Sequence, residues 1–200
     1  MEVGPGLGSL TLAILETGAD LTAVEIDPPL AQRLPQTIAE FMPNATNRFR
    51  VVNMDALKVT PSQLPQLADA ATFTLVANLP YNVATPILLT LLERFGNLDS
   101  FLVMVQKEVA ERLSAQPGSK VYGTPSVKLA WYGTSEKRGT ILAANDVLAS
   151  AEQLIPHWCG SNAMPQTTRA IPTTAVWGAI WCSGSSTPPS RSDARHCTRH

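Results

Sequence analysis

Short apolar runs and amphipathic segments follow one another along residues 1–138 and predict strands and helices in alternation. The apolar runs, typical of strands buried in a parallel sheet, end at Val3 and span residues 21–26, 49–53, 72–77 and 101–105. The segments with helical spacing lie at residues 9–17, 30–41, 85–95, 107–115 and 126–132. Strands that alternate with helices form a parallel sheet covered on both faces. We therefore predict an α/β fold with a Rossmann-like, doubly wound, mostly parallel sheet.

The pattern ends near Arg138 and divides the chain into two predicted parts. Residues 1–138 form the Rossmann-like domain, and residues 139–200 form an atypical tail, disordered or non-native. Every lysine precedes Arg138, whereas all cysteines and histidines lie in the last quarter of the chain. A natural low-complexity tail and out-of-frame translation of the gene are the two explanations, and the abrupt boundary favours the second. Because the tail has no CxxC pair, we expect no metal site there.

Overall composition says little about partners. The chain has 44% hydrophobic and 16% charged residues and a net charge of −1, which argues neither for nor against nucleic acid. The sequence has no apolar run of about 18 residues that could span a membrane and no basic-then-apolar leader. These features predict a cytoplasmic protein with no membrane partner.

A glycine-rich loop follows the first strand and opens the first helix, which is the context that a nucleotide-binding loop requires. Gly4, Gly6 and Gly8 have GxGxG spacing, unlike the GxGxxG of dinucleotide-binding folds. About twenty residues later, Glu25 lies at the end of the second strand, where its two oxygens could accept hydrogen bonds from ribose hydroxyls. The alternatives are a simple tight turn and a solvated acid at a strand end.

A second acid, Asp55, follows the third strand. Its carboxylate could accept a hydrogen bond from the exocyclic amino group of a cofactor's adenine. It could instead cap the helix that comes next. Its place in chain order after the glycine loop and Glu25 favours the cofactor interpretation.

The fourth strand runs directly into Asn78-Leu79-Pro80-Tyr81. An exocyclic adenine nitrogen is a poor nucleophile because its lone pair is delocalised into the ring. The side-chain oxygen of Asn78 and the backbone carbonyl of Leu79 could accept hydrogen bonds from that amino group and direct its lone pair at a methyl donor. Pro80 fixes the turn, and Tyr81 offers a flat face on which an extruded base could stack. The position favours a catalytic turn over an ordinary strand-to-helix connection.

In this order the four motifs resemble those of the small-subunit (16S) rRNA adenine N6-dimethyltransferase family, with its erythromycin-resistance and mitochondrial relatives. The similarity covers about residues 2–135, and residues 106–113 and 120–127 are similar to the housekeeping branch. The resemblance implies the fold of a class I methyltransferase that uses S-adenosylmethionine and no metal. It implies that Gly4 and Gly6 contact the amino-acid end of this cofactor. Glu25 would then contact the ribose, Asp55 the adenine, and Asn78 would lie between methyl donor and target amino group.

The resemblance also implies a substrate. Members of the family dimethylate N6 of two adjacent adenosines in the 3′-terminal hairpin of small-subunit rRNA, in a partly assembled subunit during ribosome biogenesis. A monomer is expected. Lys107, Arg112 and Lys120 would then be candidates for phosphate contacts, although each could equally be a solvated charge on a helix face.

The two ends of the chain depart from the family pattern. That pattern includes an amino-terminal helix, a Phe-Leu-containing segment that closes over the cofactor and, beyond the position of Arg138, a Pro-rich loop, a last strand and a small helical domain. We therefore expect the chain to bind the methyl donor weakly and to be poorly active.

Three alternatives stay open: a macrolide-resistance type of methyltransferase acting on 23S rRNA, a nicotinamide-dependent oxidoreductase, and a non-enzymatic RNA-binding assembly factor on the same scaffold. Residues 120–127 disfavour the first, and the GxGxG spacing with the Asn78–Tyr81 turn disfavours the second. The intact Asn78–Tyr81 turn disfavours the non-enzymatic assembly factor but does not exclude it.

Overall fold

The computed structural model describes residues 1–142 and 148–155, with side chains described for residues 1–137. The chain divides into two compact units. Among the described residues, the first unit comprises Glu2 and Gly4–Asn53, and the second comprises Met1, Val3 and residues 54–142 and 148–155.

The first unit is built from short strands and two helices, and its first strand also includes Val3 of the second unit. In chain order these are β1 (Glu2–Val3), α1 (Ser9–Glu16), β2 (Leu21–Glu25), α2 (Pro28–Phe41), a 3-10 turn (Pro43–Arg48) and β3 (Phe49–Asn53). The sheet order is β1-β2-β3. Strands β2 and β3 are parallel, with Glu25 opposite Asn53 at their last residues. The carboxyl ends of the two strands therefore meet at one edge of this sheet.

Local sequence explains where these elements begin and end. Every residue of β2 is buried, as expected for a strand covered on both faces. Gly18 has a φ of 87° just after α1, a left-handed conformation that ends helices. Asp27 caps α2 by accepting a hydrogen bond from the Leu30 amide at 3.3 Å, and Pro28 lies in the first turn, where a missing N–H costs nothing.

The second unit contains a four-stranded sheet and four helices within its described part. The elements are a 3-10 turn (Pro61–Gln63), α3 (Pro65–Ala68), β4 (Phe73–Asn78), α4 (Ala84–Arg94), β5 (Leu98–Gln106), α5 (Lys107–Leu113), α6 (Thr124–Tyr132), β6 (Thr134–Leu142) and β7 (Leu148–Ile155). The strand order is β4-β5-β7-β6. Strands β4 and β5 are parallel, whereas β7 is antiparallel to both β5 and β6.

The core of the second unit lies on β4, β5 and the inner face of α4. Leu75, Phe101, Leu88 and Leu91 are completely buried, and the rings of Phe73 and Phe95 meet edge to face at 5.6 Å. Side chains also close the loops: Arg94 donates hydrogen bonds to the carbonyls of Leu57 at 2.9 Å and Val59 at 2.7 Å. These contacts fix the segment after residue 54 onto the end of α4.

The α/β class and the parallel strands predicted from the sequence are confirmed. The third strand has the predicted bounds, and the other predicted strands and helices are present with bounds that differ by a few residues. The sequence did not predict β6 and β7, and the predicted boundary at residue 138 falls inside β6. The division into a 1–138 domain and a 139–200 tail stays a prediction, because residues 143–147 and 156–200 lie outside the described residues. Within the described part, no helix is long and apolar enough to cross a bilayer.

Candidate active site

The glycine loop of the first unit depends on backbone conformations that favour glycine. Gly4, Gly6 and Gly8 have φ values of 68°, 57° and 99°, all in the left-handed region. A Cβ on Gly8 would lie 2.7 Å from Cδ1 of Leu34, whereas a Cβ on Gly6 would have no heavy atom within 4 Å. Gly8 is therefore required for packing onto α2, and Gly6 borders open space that a ligand could fill.

Glu25 joins this loop to the end of β2. Its side chain is buried, Oε2 accepts a hydrogen bond from the Gly6 amide at 3.1 Å, and Oε1 accepts one from the Asp27 amide at 2.9 Å. The structure thus brings together two of the predicted cofactor residues, Gly6 and Glu25. Because each carboxylate oxygen has two acceptor sites, Glu25 can hold the loop and still accept bonds from a ligand.

Sequence reasoning missed two residues beside Glu25. The Asn53 side-chain amide donates hydrogen bonds to the carbonyls of Glu25 at 2.8 Å and Ile26 at 3.2 Å, which fixes the end of β2 against β3. The Ile26 side chain is 66% exposed, although it directly follows a buried strand. The signal in the sequence was an apolar residue between two acids at a strand end. Ile26 offers an apolar face at the edge where the ligand-binding candidates lie.

A buried acid, Glu2, was also missed. Its Oε2 accepts a hydrogen bond from the Thr11 hydroxyl at 2.7 Å, which ties β1 to α1. Burial raises the pKa of Glu2 from 4.5 to about 8; the bond from Thr11 lowers the pKa and Glu25 raises it further, each less than burial does. Glu2 is therefore mostly protonated at neutral pH.

This raised pKa predicts a pH dependence of stability. An acid with a higher pKa in the folded state contributes full stability below its unfolded value, and that contribution is lost as pH rises to the folded value. For Glu2 the loss is expected between pH 4.5 and about 8. The Glu2→Gln variant keeps an acceptor for Thr11 but cannot ionise. Its Tm is expected to exceed that of the wild type by a margin that grows from pH 5 to pH 8.5, as measured by thermal unfolding.

Equal pH dependence of Tm in both proteins would contradict the buried, protonated state of Glu2. The control is Glu16→Gln, which changes an exposed acid of α1. Its Tm should follow the wild-type curve across the same pH range.

Asp55, in the second unit, makes a local turn. Its Oδ1 accepts a hydrogen bond from the Leu57 amide at 2.9 Å, and its carbonyl accepts one from the Lys58 amide at 2.9 Å. The sequence also suggested that Asp55 caps a helix, and this alternative is wrong, because a turn follows Asp55 and the next helical segment begins only at Pro61. The side chain is half-exposed, so it remains accessible to a ligand, and its role in cofactor binding stays a prediction.

The segment Asn78–Tyr81 leaves the sheet at the carboxyl end of β4. Asn78 lies opposite Met104 of β5, and the Leu79 amide donates a hydrogen bond to the Met104 carbonyl at 3.1 Å. Leu79 is buried, whereas Asn78, Pro80 and Tyr81 are exposed. Buried Leu79 therefore anchors a short turn that presents its polar and aromatic neighbours.

The exposed groups of this turn are available to a substrate. Among the described residues, the side-chain amide of Asn78 has no hydrogen-bond partner, and Tyr81 is 57% exposed. Asn82, next in the chain, has a φ of 66°, which is uncommon for a residue other than glycine and is best tolerated by Asn. This conformation, missed from the sequence, ends the turn and precedes α4. The arrangement offers hydrogen-bond acceptors beside a flat aromatic ring.

The three cations predicted to contact RNA have different surroundings. Lys107 Nζ lies 3.8 Å from Glu111 one helical turn along α5, which is a common surface ion pair. Arg112 and Lys120 are exposed and have no ion-pair partner among the side chains that the structure describes. All three remain predictions, and the latter two are the better candidates.

The comparisons with known proteins concern the same part of the chain. A sequence model of the family described as ribosomal RNA adenine dimethylase matches residues 1–137. The chain belongs to the ribosomal RNA adenine dimethylase family. The match covers both the glycine loop and the Asn78–Tyr81 turn, and it confirms the resemblance seen in the sequence.

Curated members of the dimethylase family match the chain over part of their own length. The ribosomal RNA small subunit methyltransferase A of Bifidobacterium longum strain NCC 2705 is 80% identical over 141 residues, which are 70% of this chain and 46% of that protein. The protein with the same name from Streptomyces griseus is 57% identical over 141 residues, 70% of this chain and 47% of that protein. The chain thus spans about half the length of the curated relatives it matches.

Solved structures show the fold of the dimethylase region. A dimethyladenosine transferase from Plasmodium falciparum aligns with a TM-score of 0.62 and 22% identity, covering 78% of this chain and 54% of that one. The O-methyltransferase TomG from Streptomyces achromogenes aligns with a TM-score of 0.51 and 15% identity, covering 78% of this chain and 71% of that one. Both support the Rossmann-like methyltransferase fold predicted from the sequence.

Proposed function

We propose that this chain carries the catalytic residues of an S-adenosylmethionine-dependent methyltransferase that modifies adenine N6 in ribosomal RNA. The observation that carries the proposal is the exposed side-chain amide of Asn78, which has no hydrogen-bond partner among the described residues and lies near exposed Tyr81 in the chain. The chain that carries it is a member of the ribosomal RNA adenine dimethylase family. We propose that this turn and the glycine loop of the first unit contribute to one reaction.

The residues of the first unit fit S-adenosylmethionine. Open space at Gly6 admits a ligand close to the backbone, and the Glu25 carboxylate has acceptor sites for ribose hydroxyls. The exposed Ile26 side chain offers an apolar surface for the adenine ring. Gly4 would help hold the amino-acid end. Asp55, which belongs to the second unit, would accept a bond from the adenine amino group. When bound, the cofactor supplies an electrophilic methyl group on sulfur.

The turn at the end of β4 prepares the target nitrogen. The Asn78 side-chain oxygen and the Leu79 carbonyl accept hydrogen bonds from the amino group, which draws its lone pair out of the ring system. Tyr81 stacks against the extruded base, and Pro80 keeps the turn short. Methyl transfer would leave the target nitrogen positively charged, and a nitrogen with this charge gives up a proton readily to water, so no base with a shifted pKa is needed.

The proposed substrate is small-subunit rRNA. The support is the name of the relatives, ribosomal RNA small subunit methyltransferase A, together with the family match. We further propose the finer features that the family resemblance implies: two adjacent adenosines in the 3′-terminal hairpin, a partly assembled subunit as the physical substrate, a monomeric enzyme and a cytoplasmic location.

The test is methyl transfer to ribosomal subunits. The chain is incubated with labelled S-adenosylmethionine and small subunits that lack adenine dimethylation, and the RNA is digested and analysed by mass spectrometry. Dimethyladenosine in small-subunit RNA is the expected product. Methyladenosine in large-subunit RNA instead would support the macrolide-resistance type. Subunit binding and cofactor binding without transfer would support the non-enzymatic assembly factor.

A further inference from the structure

The outward face of α6 has an unusual composition. Thr124, Val127, Lys128 and Trp131 follow one another at the i, i+3, i+4 and i+7 spacing that places residues on one side of a helix. This side is exposed: Val127 is 52% exposed and Trp131 is 85% exposed. A tryptophan normally buries most of its large surface. A ligand that covers the α6 face would therefore gain apolar contact area.

A cavity of about 390 Å³ adjoins this α6 face, between α6 and α4. Its lining includes the hydroxyl-bearing residues Thr85, Thr90 and Thr124, together with Lys128 and Glu93. Threonine hydroxyls and a lysine ammonium are hydrogen-bond donors that suit phosphate oxygens, and a carboxylate suits ribose hydroxyls. The cavity thus offers both kinds of partner that a nucleotide backbone requires.

The chain segment that contains α6, residues 112–135, carries only positive charges, whereas Glu93 of α4 lines the adjoining cavity. No aspartate or glutamate occurs between Glu111 and Glu136, whereas Arg112, Lys120 and Lys128 all lie in this segment. None of the three cations has an ion-pair partner among the described side chains. A positive segment in a chain whose net charge is −1 is complementary to a polyanion.

We propose that the α6 face binds a single-stranded stretch of the substrate RNA that flanks the target adenosine. Lys128 and Thr124 contact a phosphate at the mouth of the cavity, and Trp131 stacks on an unpaired base. Lys128 and Trp131 are neighbours on the helix surface at i, i+3, so one short stretch of RNA can reach both. The proposal rests on the proposed RNA methyltransferase function and assigns it a contact surface outside the Asn78–Tyr81 turn.

A protein partner is disfavoured by the small size of the apolar area. A stable protein interface buries about 800 Å² on each side, whereas the α6 face presents one tryptophan and one valine among polar and basic neighbours. Aromatic rings interleaved with cations are typical of single-stranded nucleic-acid sites.

The test measures RNA affinity of the full 200-residue chain and its variants by fluorescence anisotropy. The probe is the 3′-terminal hairpin of small-subunit rRNA with single-stranded flanks, and titrations cover about 50 to 200 mM KCl, where phosphate contacts are most evident. Trp131→Ala is expected to weaken binding roughly 5- to 100-fold, and Trp131→Phe to keep most of the affinity. Lys128→Gln is expected to reduce the slope of log K against log salt by about 0.7.

Matched controls are Phe41→Ala, which removes another exposed aromatic residue, and Lys58→Gln, which removes another exposed lysine. Both should bind RNA as the wild type does, and every variant should keep the wild-type affinity for S-adenosylmethionine. The proposed α6 contact would be overturned if Trp131→Ala bound RNA as tightly as the wild type, or if light scattering showed a change only in oligomeric state. Methyl transfer by the wild type would still support the enzymatic function in that case. Trp131-dependent RNA binding without methyl transfer would support the α6 contact and refute the enzymatic function.

Discussion

Replacement of Asn78 by alanine is expected to lower kcat for methyl transfer by roughly 100- to 1,000-fold, the usual loss when one pre-organised hydrogen-bonding group is removed from an active site. The side chain is exposed and makes no hydrogen bond to any described residue, so its removal leaves no protein group unsatisfied. The backbone at this position is held by β5 through the Leu79 amide and the Met104 carbonyl. The measurement is single-turnover transfer at saturating cofactor, with cofactor affinity determined separately.

Two further variants separate chemistry from folding. Asn78→Asp keeps an acceptor oxygen and is expected to retain more activity than Asn78→Ala, since the proposed role is to accept a bond from the target amino group. Asn44→Ala removes an exposed asparagine of the first unit and should leave kcat unchanged. The proposed role of Asn78 would be wrong if the alanine variant kept wild-type kcat, or if only its cofactor affinity fell.

The sequence predicted best the elements whose secondary structure follows from the propensities of their own residues. Strand β3 has the predicted bounds because its five residues are too few for a helix and include Phe49, Val51 and Val52, which favour a strand. Strand β6 was missed because its first half is rich in polar and charged residues and resembles a loop. Its strand conformation accompanies antiparallel pairing with β7, which itself pairs with β5, and such context overrides local propensity.

In the candidate site, too, the sequence predicted the residues but not the contacts between them. Chain order was sufficient to select Gly6, Glu25 and the Asn78–Tyr81 turn as candidates. It could not show that Glu25 holds the glycine loop, or that Asn53 donates to the carbonyl of Glu25, because the second contact follows from the parallel register of β2 and β3. Exposure of Ile26 likewise depends on where β2 ends in three dimensions. The sequence pattern predicts which residues are candidates for the site, and the pairing of strands determines what these residues contact.

Because Glu25 accepts hydrogen bonds from two backbone amides, its replacement should impair both the loop and the cofactor site. In Glu25→Gln one acceptor oxygen becomes an NH₂ donor, so either the Gly6 or the Asp27 amide loses its partner. Loss of one hydrogen bond at this part-buried position costs about 0.5–1.5 kcal/mol, and we expect a fall of that size in the free energy of unfolding. Cofactor affinity should fall roughly 10- to 100-fold, because a charge-assisted bond to a ribose hydroxyl contributes about 1.5–3 kcal/mol.

Calorimetric titration with S-adenosylmethionine and urea unfolding measure the two effects on the same preparation. Glu16→Gln, at an exposed position of α1, is the matched control and should change neither quantity. If Glu25→Gln lost stability but bound the cofactor as tightly as the wild type, Glu25 would only hold the loop, and the ribose contact would have to be assigned to another acceptor. If affinity fell with stability unchanged, the bonds to Gly6 and Asp27 would contribute little to folding. Loss of both is the expected result, since the oxygens that hold the loop are those available to the ribose.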